Sequence, residues 1–216
     1  MPPAQPSVDD LLRADCYALV AALLLAPPTR ALLDTLAQTA EAAQDLSAPH
    51  RQGPDRVPSN RLDASWRQLT AAASVMPLDA IASEFAALFE GTGKPLLDPY
   101  ASPYLSGYMM EKPLAALRSD LAVLGLARSS RATVPEDHLG ALCETMRLLI
   151  AGAPGYPHRS PAEQRAFFRR HLEPWAFACL ADIEQAQPAS FYRCVAVFAR
   201  QLLDAERRAF ALDCTN

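Results

Sequence analysis

The sequence predicts an all-α protein built as a single compact bundle of about nine or ten helices. Apolar residues recur at helical spacing along most of the chain, and capping and proline signals separate the periodic segments. Alanine and leucine dominate, whereas alternating runs of β-branched residues, which favour strands, are absent.

Composition and charge limit the class of protein. Half of the 216 residues are hydrophobic and a fifth are charged, so the chain can bury a sizeable core. The formal net charge is −4, and no cluster of basic residues is interleaved with aromatic ones. A nucleic-acid-binding protein is therefore not expected.

The first predicted helix runs from Ser7 to Leu25, where Ser7 and Asp10 form a capping box. Two prolines end it, and Thr29 caps a second helix that reaches Leu46. Residues 47–60 contain three prolines and a glycine, which predicts a linker.

Later helices are predicted from similar signals. Ser160 and Glu163 flank a proline in a pattern typical of a helix start. The predicted segments begin at Asn60, after Pro77, at Lys112, at Pro135, at Ser160 and near Ser190.

We expect two helical halves packed as one domain. Residues 1–125 form the N-terminal half, including the linker at 47–60, and residues 126–216 form the C-terminal half. The loop from Ala127 to Thr133 joins them, so exchange of a half between copies would give a domain-swapped dimer beside the monomer.

Cysteine and histidine spacing offers no metal site. The five cysteines lie far apart without a C-x-x-C, as expected for buried thiols in a reducing compartment. The longest apolar run, Cys16–Ala26, is shorter than a membrane span and is flanked by acidic residues. We therefore expect a cytoplasmic protein.

Three segments carry candidate functional residues. Residues 98–108 combine Tyr100, Tyr104, Tyr108, two prolines and a glycine, which excludes a regular helix on this interpretation. The tyrosines either plug a gap between helices or line a peptide-binding groove.

The second segment is Val134–Leu139. Glu136 and Asp137 are expected in an exposed first helical turn, where they either favour the helix dipole or form an acidic rim that binds an arginine side chain. The third segment, Phe167–Trp175 with Phe191 and Tyr192, is interpreted as core.

Catalytic motifs are weak. Ser102 or Ser106 with His138 and Asp137 supplies the groups of a hydrolase triad, but no G-x-S-x-G elbow is present. Gly91–Lys94 lacks the full spacing of a phosphate-binding loop, which leaves at most weak guanine nucleotide binding open. We therefore expect a protein that is not an enzyme.

The same segments resemble the TorD/DmsD family of molybdoenzyme-specific chaperones, related to NarJ. The resemblance covers residues 80–206 and rests on four groups in this order: Glu84–Phe89, Tyr100-x-Ser102-x-Tyr104, Pro135–Leu139 and Phe167–Trp175. Pro103 and the linker at 47–60 depart from the family pattern.

The resemblance implies binding of the twin-arginine signal peptide of a dimethyl-sulfoxide-reductase-type enzyme in the cytoplasm. It also implies help with insertion of molybdopterin guanine dinucleotide, with transient contact to that cofactor left open. The binding residues implied by the resemblance are Leu88, Phe89, Tyr100, Tyr104, Pro135, Asp137 and His138.

A twin-arginine signal has two arginines before an apolar stretch, so its receptor needs an apolar groove with carboxylates at one end. Leu88, Phe89 and the tyrosines are candidates for the groove, and Glu136, Asp137, Glu84 and Glu90 are candidates for the carboxylates. The main alternative is a permanent helical scaffold or subunit of a redox complex; a serine hydrolase is a further one.

Overall fold

The computed structural model describes residues 5–46, 61–91, 95–128 and 133–212, with the side chains of 40–46 omitted. These residues form ten α-helices and no strand, which confirms the predicted fold class. The helices are α1 (Val8–Leu25), α2 (Arg30–Leu46), α3 (Arg61–Val75), α4 (Leu78–Phe85), α5 (Ala101–Ser106), α6 (Lys112–Val123), α7 (Leu139–Ala151), α8 (Pro161–Phe167), α9 (Ala176–Gln185) and α10 (Phe191–Leu212).

Side-chain caps fix several helix starts as predicted. Ser7 and Asp10 form a reciprocal capping box at α1, and Ser160 and Glu163 form another at α8. At α2 the hydroxyl of Thr29 accepts a hydrogen bond from the Leu32 amide, N to Oγ1 3.3 Å. Each cap satisfies amide groups that have no partner within their own helix.

The chain divides into two compact units. Unit 1 comprises Met1–Ala26 and Asp98–Cys179, and unit 2 comprises Pro27–Leu97 and Leu180–Asn216. This division differs from the predicted halves at residue 125. The cause is pairing between helices that are far apart in the sequence: α1 packs against α7 within unit 1, and α3 packs against α2 and α10 within unit 2.

A glycine allows the close approach of α1 and α7. A Cβ atom added at Gly140 would lie 2.8 Å from Cγ of Leu25 and 3.2 Å from the carbonyl oxygen of Ala21. A larger residue at this position would force the Leu25 side chain or the α1 backbone to shift.

Two helices continue into π-helical turns. α4 continues into Ala86–Glu90, and α8 continues into Phe168–Leu172. The aromatic residues of the segment predicted as core are buried. The Trp175 ring nitrogen donates a hydrogen bond to the carbonyl oxygen of His171, 2.7 Å away. This interpretation is confirmed.

The tyrosine segment contains a helix that the sequence interpretation excluded. Pro103 is the third residue of α5, and a proline is compatible with the first turn because amides there have no partner within the helix. Gly107 then ends α5 with a φ of 83°, in the left-handed region.

The helix predicted from Pro135 begins four residues later. His138 is the N-terminal cap of α7, so Pro135, Glu136 and Asp137 lie in a turn that precedes the helix. This shift changes the surroundings of both acidic side chains.

Some predictions fall outside the described residues, namely the linker at 47–60, most of Gly91–Lys94, and residues 129–132 of the predicted hinge loop. Within the described ranges no single helix is long and apolar enough to cross a membrane. One bent pair, Arg61–Val75 with Leu78–Glu90, meets the length and composition criteria jointly, with an angle of 116° between its parts.

Candidate functional site

Asp137 joins two distant segments of unit 1. Its side chain is 1% exposed, and Oδ2 accepts hydrogen bonds from the Ser102 hydroxyl at 2.6 Å and the Ser102 amide at 3.0 Å. The Ala101 amide donates to the Asp137 carbonyl oxygen at 2.9 Å. Asp137 therefore caps the start of α5 from outside that helix.

His138 follows Asp137 in the same turn, and its ring is fixed by two contacts. Its Nδ1 accepts a hydrogen bond from the Gly140 amide at 3.0 Å, and its ring meets that of Tyr100 edge-on, with centroids 4.8 Å apart. Burial lowers the pKa of His138 to about 4, so the ring is neutral near pH 7. The predicted exposed position of Asp137 is wrong, because Asp137 is buried together with His138 beneath the segment that leads into α5.

The two predicted tyrosines lie at different places in unit 1. Tyr100 is only partly exposed and contacts His138, and burial with the nearby charges of Asp137 and Asp98 raises its pKa. Tyr104 packs its ring on Trp175, with centroids 5.5 Å apart. Tyr100, Asp137 and His138 are therefore brought together, with Tyr104 one turn further along α5.

Glu136 differs from its buried neighbour because it binds a guanidinium group. Arg118 Nε and Nη2 donate to its two carboxylate oxygens at 3.0 and 2.9 Å, and the Arg118 side chain is 52% exposed. Burial raises the pKa of Glu136, but the hydrogen bonds and the charges of Arg118 and Arg128 outweigh it and leave the pKa lowered. The carboxylate thus stays ionised and shows bidentate arginine binding.

Glu136 also lines a pocket in unit 1 with a volume of about 440 Å³. Its apolar wall comes from the end of α1, from α6 and from α7, and Glu136 and Glu144 supply carboxylates. The lining residues are Leu25, Leu121, Leu126, Ala127, Arg128, Thr133, Val134, Glu136, Ala141, Glu144, Thr145 and Leu148. We refer to this as the Glu136 pocket.

Sequence analysis missed most of this pocket. Leu25, Leu121 and Leu148 belong to the apolar stripes of three different helices, so only the packing of those helices makes them neighbours. Glu144 could have been found in part from the sequence, because it lies on α7, the helix that follows the predicted segment with Asp137. Arg147 forms a bidentate pair with it at 2.7 and 2.8 Å.

A second, smaller cavity of about 140 Å³ lies beside Asp137. Its lining is mainly apolar and comes from α5, α6, α7 and the π-helical turn after α8. The lining residues are Ala101, Leu105, Pro113, Ala116, Leu117, Asp137, Leu142, Arg170 and His171. We refer to this as the Asp137 cavity.

Leu88 and Phe89, the remaining predicted site residues, lie in unit 2. Leu88 is fully buried, whereas Phe89 is partly exposed and packs against Phe85 and Tyr192 with ring centroids 5.2 and 5.4 Å apart. Leu88 therefore belongs to the core of unit 2 and offers no surface to a peptide in this state.

Glu84, a candidate for binding an arginine of the signal peptide, already forms hydrogen bonds within the protein. Its buried carboxylate accepts hydrogen bonds from the amides of Ser190, Phe191 and Tyr192 at 2.7, 3.1 and 2.7 Å. These bonds cap the start of α10, so Glu84 has a structural role that sequence analysis missed. Glu90, in contrast, is exposed.

The groups of the considered hydrolase triad are close together but are not arranged as nucleophile and base. The Ser102 hydroxyl donates to Asp137, while His138 Nδ1 is engaged by the backbone amide of Gly140. Ser106 donates to the carbonyl oxygen of Ser102 at 2.7 Å. Neither serine is paired with the histidine that would accept its proton.

Comparison with known proteins gives a family and a fold for this chain. The family described as "Nitrate reductase delta subunit" matches residues 58–181, more than half of the chain. A solved structure from Archaeoglobus fulgidus, described as a redox enzyme maturation protein, has the same fold with a TM-score of 0.54 and 15% identity. The match covers 94% of this chain and 98% of that one. No curated protein sequence matches the chain.

The family match gives the class of protein: this is a redox enzyme maturation chaperone. The chain belongs to the nitrate reductase delta subunit family, the NarJ/TorD type of chaperone that the sequence motifs indicated. Among the residues described, no group of three histidine, cysteine, aspartate or glutamate side chains is placed to hold a metal ion.

Proposed function

We propose that this protein is a cytoplasmic chaperone that binds the twin-arginine signal peptide of a molybdoenzyme precursor. The partner is an enzyme of the dimethyl-sulfoxide-reductase type, and the chaperone holds its signal segment while molybdopterin guanine dinucleotide is inserted before export. The cofactor is cargo of the partner enzyme. The family match is the first support for this proposal.

The observation that carries the proposal is the Glu136 pocket. Its volume of about 440 Å³ lies in the range of pockets that bind small ligands or several side chains. An apolar wall next to two carboxylates is the combination that two arginines followed by an apolar stretch require. Glu136 belongs to the predicted acidic rim. The proposal takes the apolar part of the site from this pocket in unit 1, instead of from Leu88 and Phe89.

The binding mode follows from the ion pairs already present. Arg118 occupies Glu136 in bidentate geometry, and its half-exposed side chain can leave for water. An arginine of the signal peptide then takes the same two carboxylate oxygens, because guanidinium groups share this geometry. Glu144, paired with Arg147 in the same way, offers a second exchange position.

Titration calorimetry with three synthetic peptides tests the proposal. The parent peptide has two arginines before an apolar stretch, and we expect binding in the micromolar range or tighter. Replacing both arginines by lysine weakens binding, because lysine lacks the bidentate fork. Replacing the apolar stretch by serines weakens it more, because apolar burial contributes about 25 cal/mol per Å². Equal binding of the serine peptide and the parent would contradict the proposal.

A further inference from the structure

The helix α1 is apolar on both of its sides, although only one side is buried. The buried side packs against α7 in unit 1 and consists of Ala14, Tyr17, Val20, Ala21, Leu23 and Leu24. On the outer side, Val8, Leu11 and Leu12 are 74%, 47% and 59% exposed. A helix at the surface of a globular protein usually carries polar residues opposite the core. The outer side of α1 is therefore typical of a surface that another polypeptide covers.

The exposed residues of α1 form a stripe that ends at the Glu136 pocket. They follow one another at alternating spacings of three and four residues, which places them on one side of the helix. Leu25, at one end, lines the Glu136 pocket together with Glu144 of α7. We refer to the following residues as the α1 stripe: Val8, Leu11, Asp15, Ala18, Ala22 and Leu25.

The charges on α1 favour a basic partner. Asp15 lies in the middle of the α1 stripe, and Asp9 beside Val8 is also exposed. The one basic residue of α1, Arg13, lies on another side of the helix, where it donates hydrogen bonds to Asp10 at 2.8 Å and to Gln164 of α8 at 3.2 Å. Helices that bind membrane surfaces carry basic residues, so the acidic residues of α1 disfavour a membrane.

The size of the α1 stripe suits a single helix. α1 has 18 residues and is therefore about 27 Å long and about 10 Å wide. A stable interface between two folded proteins buries about 800 Å² on each partner, which is more than one helix face offers. In a centred antiparallel pair of two copies, Asp15 would also meet its own counterpart, and like charges repel.

A segment that lies on α1 must satisfy its own backbone hydrogen bonds. The backbone groups of α1 are used within the helix, so the surface of the α1 stripe offers apolar side chains and no hydrogen-bonding edge. An α-helical ligand meets this condition, as in other complexes in which an apolar helix face packs on a groove. An apolar stretch of about 7–15 residues forms a helix about 10–22 Å long, which fits along α1.

We propose that the α1 stripe binds the apolar stretch of the partner's signal segment as an α-helix that runs from the Glu136 pocket at Leu25 towards Val8. This inference rests on the proposed function for the identity of the partner. The Glu136 pocket, with about 440 Å³, has room for several side chains only. The α1 stripe supplies the surface for the apolar residues that follow the two arginines.

A model helix without an arginine pair tests the surface itself. The probe is a fluorescein-labelled stapled helix with leucines on one face and lysines on the other, and fluorescence anisotropy measures its binding. Leu11→Glu should weaken binding about tenfold, because a carboxylate buried in an apolar contact is costly. Leu212→Glu is the matched control, since Leu212 is an exposed leucine on α10 of unit 2, and probe affinity should stay within about twofold.

Ala22→Glu repeats the test at the other end of the α1 stripe, so the result does not depend on the folding of one variant. Circular dichroism checks the helix content of all three variants. No binding of the probe to the wild-type protein, or equal affinity in the wild type and both stripe variants, would overturn the proposal.

The signal peptides then test the occupant. Affinity for the parent peptide should fall about fivefold or more in Leu11→Glu and Ala22→Glu. The peptide with serines in place of the apolar stretch should bind the wild type and these variants equally. Unchanged affinity for the parent peptide in both variants would overturn the assignment of the occupant. If the wild type binds the model helix in the expected pattern but no signal peptide, the proposed function fails and the α1 stripe stands as a docking surface for a basic apolar helix.

Two further measurements address other occupants. Sedimentation equilibrium of the wild type should show no dimer that Leu11→Glu dissociates; such a dimer would assign the α1 stripe to a second copy and overturn the proposal. Flotation with vesicles of phosphatidylcholine and phosphatidylglycerol should recover no protein with the lipid. Vesicle binding that Leu11→Glu abolishes would assign the stripe to a membrane surface instead.

Discussion

Two buried carboxylates, Asp137 in unit 1 and Glu84 in unit 2, cap helices that lie far away in the sequence. Asp137 accepts two hydrogen bonds from Ser102 at the start of α5, and Glu84 accepts three from the backbone at the start of α10. The first amides of a helix have no partner within that helix, and a carboxylate forms strong hydrogen bonds with them. Both residues belong to the motifs that carry the family resemblance, and both stabilise the fold.

Asp137→Ala should destabilise unit 1. The substitution leaves the Ser102 amide and hydroxyl without their acceptor, which costs about 3 kcal/mol in the free energy of unfolding. Asp137→Asn keeps one accepting oxygen and should lose less than half as much. Urea denaturation measures both variants, and a wild-type midpoint for Asp137→Ala would contradict the capping role.

His138 should make the protein less stable in mild acid. Its pKa is about 4 in the folded protein and 6.5 as the ordinary value, so the unfolded chain takes up a proton first as the pH falls. Stability is therefore complete above pH 6.5 and decreases as the pH falls towards 4, by about 2 kcal/mol between about pH 7 and about pH 5. Burial lowers the pKa of His171 as well, which adds in the same direction.

His138→Asn separates this contribution from the others. Asparagine is a good N-terminal cap and can accept the Gly140 amide, but it does not titrate. Urea midpoints of the variant should show a smaller loss between the two pH values than those of the wild type. Equal losses would mean that His138 is not the titrating group.

Glu84 sets the stability of the α4 and α10 pair. Glu84→Ala removes the acceptor of three backbone amides and should lower the free energy of unfolding by about 3 kcal/mol. Glu90→Ala is the matched control, because Glu90 is an exposed glutamate on the turn that continues α4. Thermal or urea unfolding of both variants is the measurement; similar stabilities would show that the cap is dispensable.

Helix starts could be predicted from local sequence signals, whereas contacts between helices could not. The capping boxes at Ser7 and Ser160 depend on residues three apart, so their pattern is visible in the sequence. The start of α7 was misplaced because Pro135 resembles a first helical residue, whereas Asp137 is drawn away from α7 by its bonds to Ser102. That contact spans 35 residues and leaves no periodic trace.

At the level of the whole chain, helical periodicity was sufficient for the fold class but not for the division into units. α1 packs against α7, and α10 packs against α3, because their apolar faces fit together. This fit between distant helices does not appear as a residue spacing in a single sequence. The candidate site shows the same limit. Its acidic residue Glu136 was predicted from local chemistry, but its apolar wall required the packing of three helices.

A chaperone and a permanent subunit differ in how long they hold their partner. The chaperone proposal predicts that the full-length precursor binds reversibly and that the mature enzyme without its signal segment binds at least tenfold more weakly. Size-exclusion chromatography of mixtures at several concentrations measures both. A complex of fixed ratio with the mature enzyme, undiminished on dilution, would favour the scaffold.

The most direct test of the central claim is calorimetric titration of the twin-arginine peptide into the wild-type protein and two variants of one ion pair. Glu136→Gln removes the carboxylate and should weaken binding about tenfold, whereas Arg118→Ala removes the internal competitor and should strengthen it. Asp79→Asn is the control: Asp79 is exposed in unit 2, and its substitution also removes one negative charge, so peptide affinity should not change. If the wild-type protein does not bind the peptide, or if Glu136→Gln and Arg118→Ala both bind it as the wild type does, the account of this protein as a twin-arginine signal chaperone acting through Glu136 is wrong.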